Sequence, residues 1–212
     1  MEQIVEILKK EGNKGAEKAA EILRTNPGSV NIHIKLVDNN DKKLKNALIK
    51  TFNILSKDNP ELVYGNFEDF FKHVCSGDNI LKWNCMSIIS NIAKEDPAEK
   101  VNENVLKNLF DNLKNESMVT AGNTIVALGE IARAKPHYRE SILARLPEAL
   151  QGFRENECNH IIAGKIILVY KELFDKTGDE SLRTMMREFA EKQIKSPRNA
   201  TAKKAKNFLK GV

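Results

Sequence analysis

A chain of 212 residues, 41% apolar and 30% charged, has a globular profile and is long enough to bury its own core. Its 11 glycines and 6 prolines are too few for an all-β fold built on tight turns. The longest apolar run, Ile166–Tyr170, is far shorter than a membrane span, and MEQIVEILKK lacks a signal peptide's apolar stretch, so a cytoplasmic protein without membrane contact is expected.

The predicted elements are helices in pairs. AEKAAEILRTNP, ending at Pro27, reads as a short first helix, and GSVNIHIKLVDNN as a reduced second one. NALIKTFNILSKDNP (Asn46 to Pro60) repeats the phrase, with Leu48, Phe52 and Leu55 on one helical face. Val63, Phe67, Phe70, Phe71 and Val74 form the face of its second helix. NCMSIISNIAKEDP (Asn84 to Pro97) and NTIVALGEIARAKP (Asn123 to Pro136) are two further copies, with Ile-Ala at Ile92-Ala93 and Ile131-Ala132. Their second helices place Val101, Val105, Leu109 and Leu113 inward, then Tyr138, Ile142, Leu146 and Leu150, with a kink or early stop at Pro147. HIIAGKIILVYKELF (His160 to Phe174) is apolar on more than one side, as a helix between neighbours must be. An amphipathic helix with Leu182, Met185, Met186 and Phe189 inward follows, then NATAKKAKNFLKG as a closing helix. The four prolines stand 33, 37 and 39 residues apart, a solenoid period. Asn26, Asn59 and Asp96 precede three of them and are predicted N-caps, Asp96 pairing with Glu99 as a capping box.

The small residue in the first helix, the aliphatic pair and the Asp-Pro or Lys-Pro turn resemble HEAT and armadillo-like repeats, most closely in DNILKWNCMSIISNIAKEDP (Asp78 to Pro97). The resemblance spans about Lys14 to Phe208. It implies an all-α fold, a right-handed α-solenoid of about five stacked antiparallel helix pairs forming one repeat domain over residues 1–212. It also implies a scaffold without enzymatic activity. In armadillo-like proteins repeated asparagines can grip a bound peptide, but Asn46, Asn84 and Asn123 are expected to bond to a neighbouring turn instead.

The residues with chemical potential do not converge. Cys75, Cys85 and Cys158 are far apart, with Cys75 and Cys85 expected to be buried and Cys158 partly exposed. His33, His73, His137 and His160 have no ligand spacing, and Gly164-Lys165 lacks the upstream glycine of a phosphate loop. No catalytic residue, cofactor or metal is expected. Trp83 is expected to pack between repeats.

Charge is uneven. Lys192, Lys195, Arg198, Lys203, Lys204, Lys206 and Lys210 fall after residue 191 with no acid among them, leaving 27 basic and 29 acidic residues elsewhere. A solvated terminal cap is the expected role of this patch. The expected function is protein binding by a monomer through the surface of the second helices, with Lys72, Lys107, Arg145 and Arg187 as contact residues. The alternative is nucleic-acid binding, including DNA glycosylase activity of the HEAT-like kind, through the basic patch.

Overall fold

The computed structural model describes residues 2–38, 40–153 and 156–211, and every regular element among them is helical. None of these helices is long and apolar enough to cross a membrane. The chain forms an α-solenoid whose helices group into two compact units, Met1–Val105 and Leu106–Val212.

The first unit holds α1 (Glu2–Glu11), α2 (Ala16–Thr25), α3 (Val30–Ile34), α4 (Lys42–Asp58), α5 (Pro60–Tyr64), α6 (Phe67–Phe71) and α7 (Asn79–Ile92). α4 lies between α2 and α7, with α5 behind it and α5 and α6 against α7. A helix with neighbours on several sides must be apolar over a wide arc, and α4 buries Leu44, Leu48 and Leu55 together with Ile49 and Phe52. Phe52 meets Phe70 edge to face, ring centroids 5.8 Å apart. Polar side chains join α4 to α7. Asn53 donates to Asn84 Oδ1 at 2.9 Å and accepts from the Ser87 hydroxyl at 2.9 Å, and Asn91 donates to Ser56 at 3.0 Å. Asn84 also donates to the Ile80 carbonyl at 2.8 Å, one turn earlier on its own helix, as expected of it, whereas Asn46 Oδ1 is buried without a hydrogen bond among the described residues.

Three of the long helices, α4, α7 and the helix that begins at Met118, start at real caps, but not at the predicted ones. Asp41 accepts from the amides of Lys43 and Leu44, Asp78 from Ile80 and Leu81, and Ser117 from Thr120. Asn26 and Asn59 make no capping bond, and Asn59 Oδ1 instead accepts from Arg24 at 3.1 Å. Asp96 is not a helix cap either. Its carboxylate holds the turn after Pro97, accepting from the amides of Lys100 (2.8 Å) and Val101 (2.9 Å) and from the Tyr64 hydroxyl (3.0 Å). Glu99 takes a φ of 50° in that turn, so no capping box forms, and the next helix waits until Glu103. Cys75, expected inside, is exposed just after α6, whereas Cys85 is buried in α7 and Cys158 is half-buried.

Asp78 also sits 2.6 Å from Lys45, and this contact is the main cause holding its carboxyl below the usual carboxylate range. A lowered pKa contributes stability above the unfolded value near 3.9, and that contribution is lost as the pH falls through the folded value. Asp78→Ala is expected to cost about 1–2 kcal/mol at neutral pH in urea melts, and Asp78→Asn, which keeps the cap and loses the charge, less than half of that. Equal losses for the two variants would remove the cap from the explanation.

The boundary between the units falls inside α8 (Glu103–Leu113). The second unit continues with α9 (Met118–Ala134), α10 (Arg139–Arg145), α11 (Asn156–Thr177), α12 (Arg183–Gln193) and α13 (Asn199–Lys210). α11 lies between α9 and α13, α10 packs on α9, and α12 packs on α11 and α13. Pro147 breaks its helix as expected: α10 ends at Arg145 and a 3₁₀ turn, Leu146–Gln151, follows. Tyr170 is fully buried in α11, stacks edge to face on Phe189 at 5.6 Å, and donates to the Leu143 carbonyl at 2.9 Å.

Candidate functional site

The four contact residues expected on the second helices are largely occupied by their own chain. Lys72, just past α6, lies 2.8 Å from Asp38 and 3.7 Å from Asp69. Asp38 hydrogen-bonds Lys72, which raises the lysine pKa and lowers that of the acid, and His73 Nε2 lies 3.1 Å from the same carboxylate. Arg145 grips Glu148 with two nitrogens, at 2.8 and 3.2 Å, and its guanidinium lies 3.8 Å from the centre of the Phe110 ring. Arg187 lies 3.6 Å from Glu191. Lys107 is exposed on α8 and makes no ion pair among the described residues. In the basic patch Lys192, Lys195, Lys203, Lys206 and Lys210 are exposed, Arg198 pairs with Glu157 at 3.2 Å, and Lys204 is half-buried.

Lys204 faces a groove that no sequence expectation named. α9 supplies Val126, Gly129, Glu130 and Arg133, α11 supplies Lys165, Leu168, Val169, Glu172 and Leu173, and α13 supplies Lys204. The hollow encloses about 280 Å³. Its apolar wall is open to solvent: Val126 is 48% exposed and Leu168 38%. Val119, one helical heptad before Val126 on α9, is also exposed. On α11 the residues Lys165, Leu168, Val169 and Glu172 share one face, so a cation, two apolar side chains and an anion follow one another along it.

Glycines set this geometry. A Cβ on Gly129 would stand 2.6 Å from Val169 Cγ1, so α9 and α11 can cross this closely only because Gly129 has none. A Cβ on Gly122 would stand 2.8 Å from Lys165 Nζ, and one on Gly164 would stand 2.9 Å from Thr201 Oγ1 and 3.6 Å from Lys204 Nζ. Each lysine therefore lies across a glycine of the preceding long helix. Thr201 donates to the His160 carbonyl at 2.6 Å and ties α13 to α11 beside Gly164. The signal that would have found the groove is the glycines themselves. Gly inside a helix costs roughly 0.5–1 kcal/mol relative to Ala, so Gly122 and Gly129 in α9 and Gly164 in α11 mark close approaches.

The two α9 glycines differ in a testable way. Gly129→Ala meets a branched side chain held in the helix crossing and is expected to destabilise the protein by about 1–3 kcal/mol. Gly122→Ala meets only the mobile end of Lys165 and is expected to be neutral, or stabilising by up to about 1 kcal/mol. Thermal melts of both variants decide this, and equal losses would contradict the described crossing.

Three solved structures share the fold. A designed armadillo repeat protein, YIII(Dq)4CqI, is similar over 98% of this chain and 90% of its own, with 15% identity and a TM-score of 0.61. Two engineered proteins from the Northeast Structural Genomics Consortium match 99% of the chain. One is 17% identical over 94% of its length at a TM-score of 0.56, and the other 15% identical over 96% at 0.57. No family model and no curated protein matches the sequence.

Proposed function

We propose that this armadillo-like chain is a non-enzymatic scaffold that binds a segment of another protein in the groove formed by α9, α11 and α13. The observation that carries the reading is the exposure of Val126 and Leu168 on neighbouring long helices, on either side of a crossing opened by Gly129. Apolar side chains left at the surface beside a concavity gain most from burial by a partner. A hollow of about 280 Å³ lies at the lower end for a drug-sized ligand and suits a few side chains of a bound segment. The second-helix surface supports the reading less well, because a partner would have to break the pairs of Lys72 and Arg145 before using them.

Selection from a displayed peptide library tests this. Peptides enriched on the wild-type protein are expected to lose affinity by about tenfold or more for Val126→Glu with Leu168→Glu, two exposed positions where the charge is tolerated by the fold. Undiminished binding to that variant, with loss on Lys107→Glu or Arg145→Glu, would move the site to the second helices. Retention of duplex DNA that falls steeply with salt, without peptide enrichment, would favour nucleic-acid binding.

A further inference from the structure

We infer that the groove selects an acidic segment, one that sets an Asp or Glu carboxylate against Lys165 and Lys204 and an adjacent apolar side chain between Val126 and Leu168. The inference rests on the groove being the binding site and adds the chemistry of its occupant. Lys165 and Lys204 line the same hollow and neither makes an ion pair among the described residues. Among the described residues of this unit the other half-buried cations are answered from within, Arg133 by Glu130, Arg139 by Asp179, Arg145 by Glu148 and Arg198 by Glu157 among them.

The two lysine side chains also lie along neighbouring helices rather than pointing straight into solvent. Lys165 is laid over Gly122 and Lys204 over Gly164, and both side chains are half-buried. A lysine stem already held against a helix loses less freedom when an anion arrives. Burial is the main cause that pushes Lys204 towards its neutral form, and the charges of Arg198 and Lys165 add to it, so a carboxylate arriving here would offset the repulsion between these cations.

The other wall says which kind of anion. Glu130 and Glu172 line the same groove, and Glu172 has no cationic partner among the described residues. A nucleic-acid strand carries a charge at every phosphate and would meet these carboxylates. A protein segment can put its acids at the lysine end and an apolar residue beyond them, matching the order Lys165, Leu168, Glu172 along α11.

The test uses the full chain and two short fluorescein-labelled peptides, one of alternating Glu and Leu and one with Gln for every Glu, followed by fluorescence anisotropy. The Glu peptide is expected to bind about tenfold tighter at low salt, with the gap shrinking as salt rises. Lys165→Gln with Lys204→Gln is expected to erase that gap while leaving the Gln peptide unchanged. Gly122→Ala, which moves the Lys165 ammonium without removing its charge, is expected to reduce it about threefold. Lys203→Gln with Lys206→Gln, two exposed lysines on the same helix, is expected to leave it intact. Each variant is read alongside its melting curve. Equal affinity for both peptides overturns the inference, as does failure of the Glu peptide to bind, or an equal loss from the Lys203 and Lys206 variant. If the Gln peptide binds and Val126→Glu with Leu168→Glu abolishes that binding, the groove stands as a binding site and only the acidic preference falls. A DNA oligomer that displaces the Glu peptide through the same two lysines would overturn the choice of a protein segment.

Discussion

Replacing Ile89 by Asp is expected to unfold the first unit. Ile89 is fully buried in α7, a helix that packs on α4 and is backed by α5 and α6. An isolated carboxylate in such a site either stays charged at a cost of many kcal/mol or takes up a proton and still lacks a partner. The lost apolar contact adds about 2–5 kcal/mol. Together these approach the whole stability of a typical domain, roughly 5–15 kcal/mol. Circular dichroism of the variant should show a large loss of helical signal at 25 °C, or a melting temperature lowered by tens of degrees. A soluble variant with unchanged melting would mean that this face of α7 is not inside.

Deleting Asn199–Val212 is expected to have the next largest effect. α13 packs on both α11 and α12, and it buries Thr201, Ala205 and Phe208. Leu209 is only half-buried, so most of the apolar contribution rests on Phe208. Burying one Phe is worth about 1.5–3 kcal/mol, and truncating it to Ala in a packed core costs about 3–5 kcal/mol once the cavity is counted. The deletion also removes the hydroxyl of Thr201 from the His160 carbonyl and strips α12 of one of the two helices it packs on. The truncated protein should melt much earlier and self-associate, and Phe208→Ala should reproduce most of the loss. The exposed lysines Lys203, Lys206 and Lys210 contribute little to folding, so their joint replacement by Gln should leave melting nearly unchanged. A truncated monomer of unchanged stability would make α13 an appendage.

The helices were legible because burial imposes a period. The steps of three and four through Leu48, Phe52 and Leu55, or through Ile125, Leu128 and Ala132, allow only a helical face, and the spaced prolines repeat it. Caps were less legible, since Asn or Asp before Pro fits a cap and a turn equally well. Asp96 chose the turn because the amides of Lys100 and Val101 and the Tyr64 hydroxyl converge on it, and Tyr64 is 32 residues away in sequence. The Arg145 pair with Glu148, three residues on, was open to reading, whereas the second-helix cation Lys72 looks available in a sequence because Asp38, 34 residues away, has no marker there as its partner. The groove was hidden for the same reason. Gly122, Gly129 and Gly164 gain meaning only when Lys165, Val169 and Lys204 are brought against them.

The central claim is that the chain binds through the long-helix face of its second unit, and an amide chemical-shift titration of the isotope-labelled full chain tests it most directly. With the tightest peptide from the library selection added, the account predicts shifts concentrated at Val126, Gly129, Leu168, Val169 and Lys204, the residues of the groove. Shifts concentrated at Lys107, Arg145 and Arg187 on the second helices, with the groove amides unmoved, would contradict it.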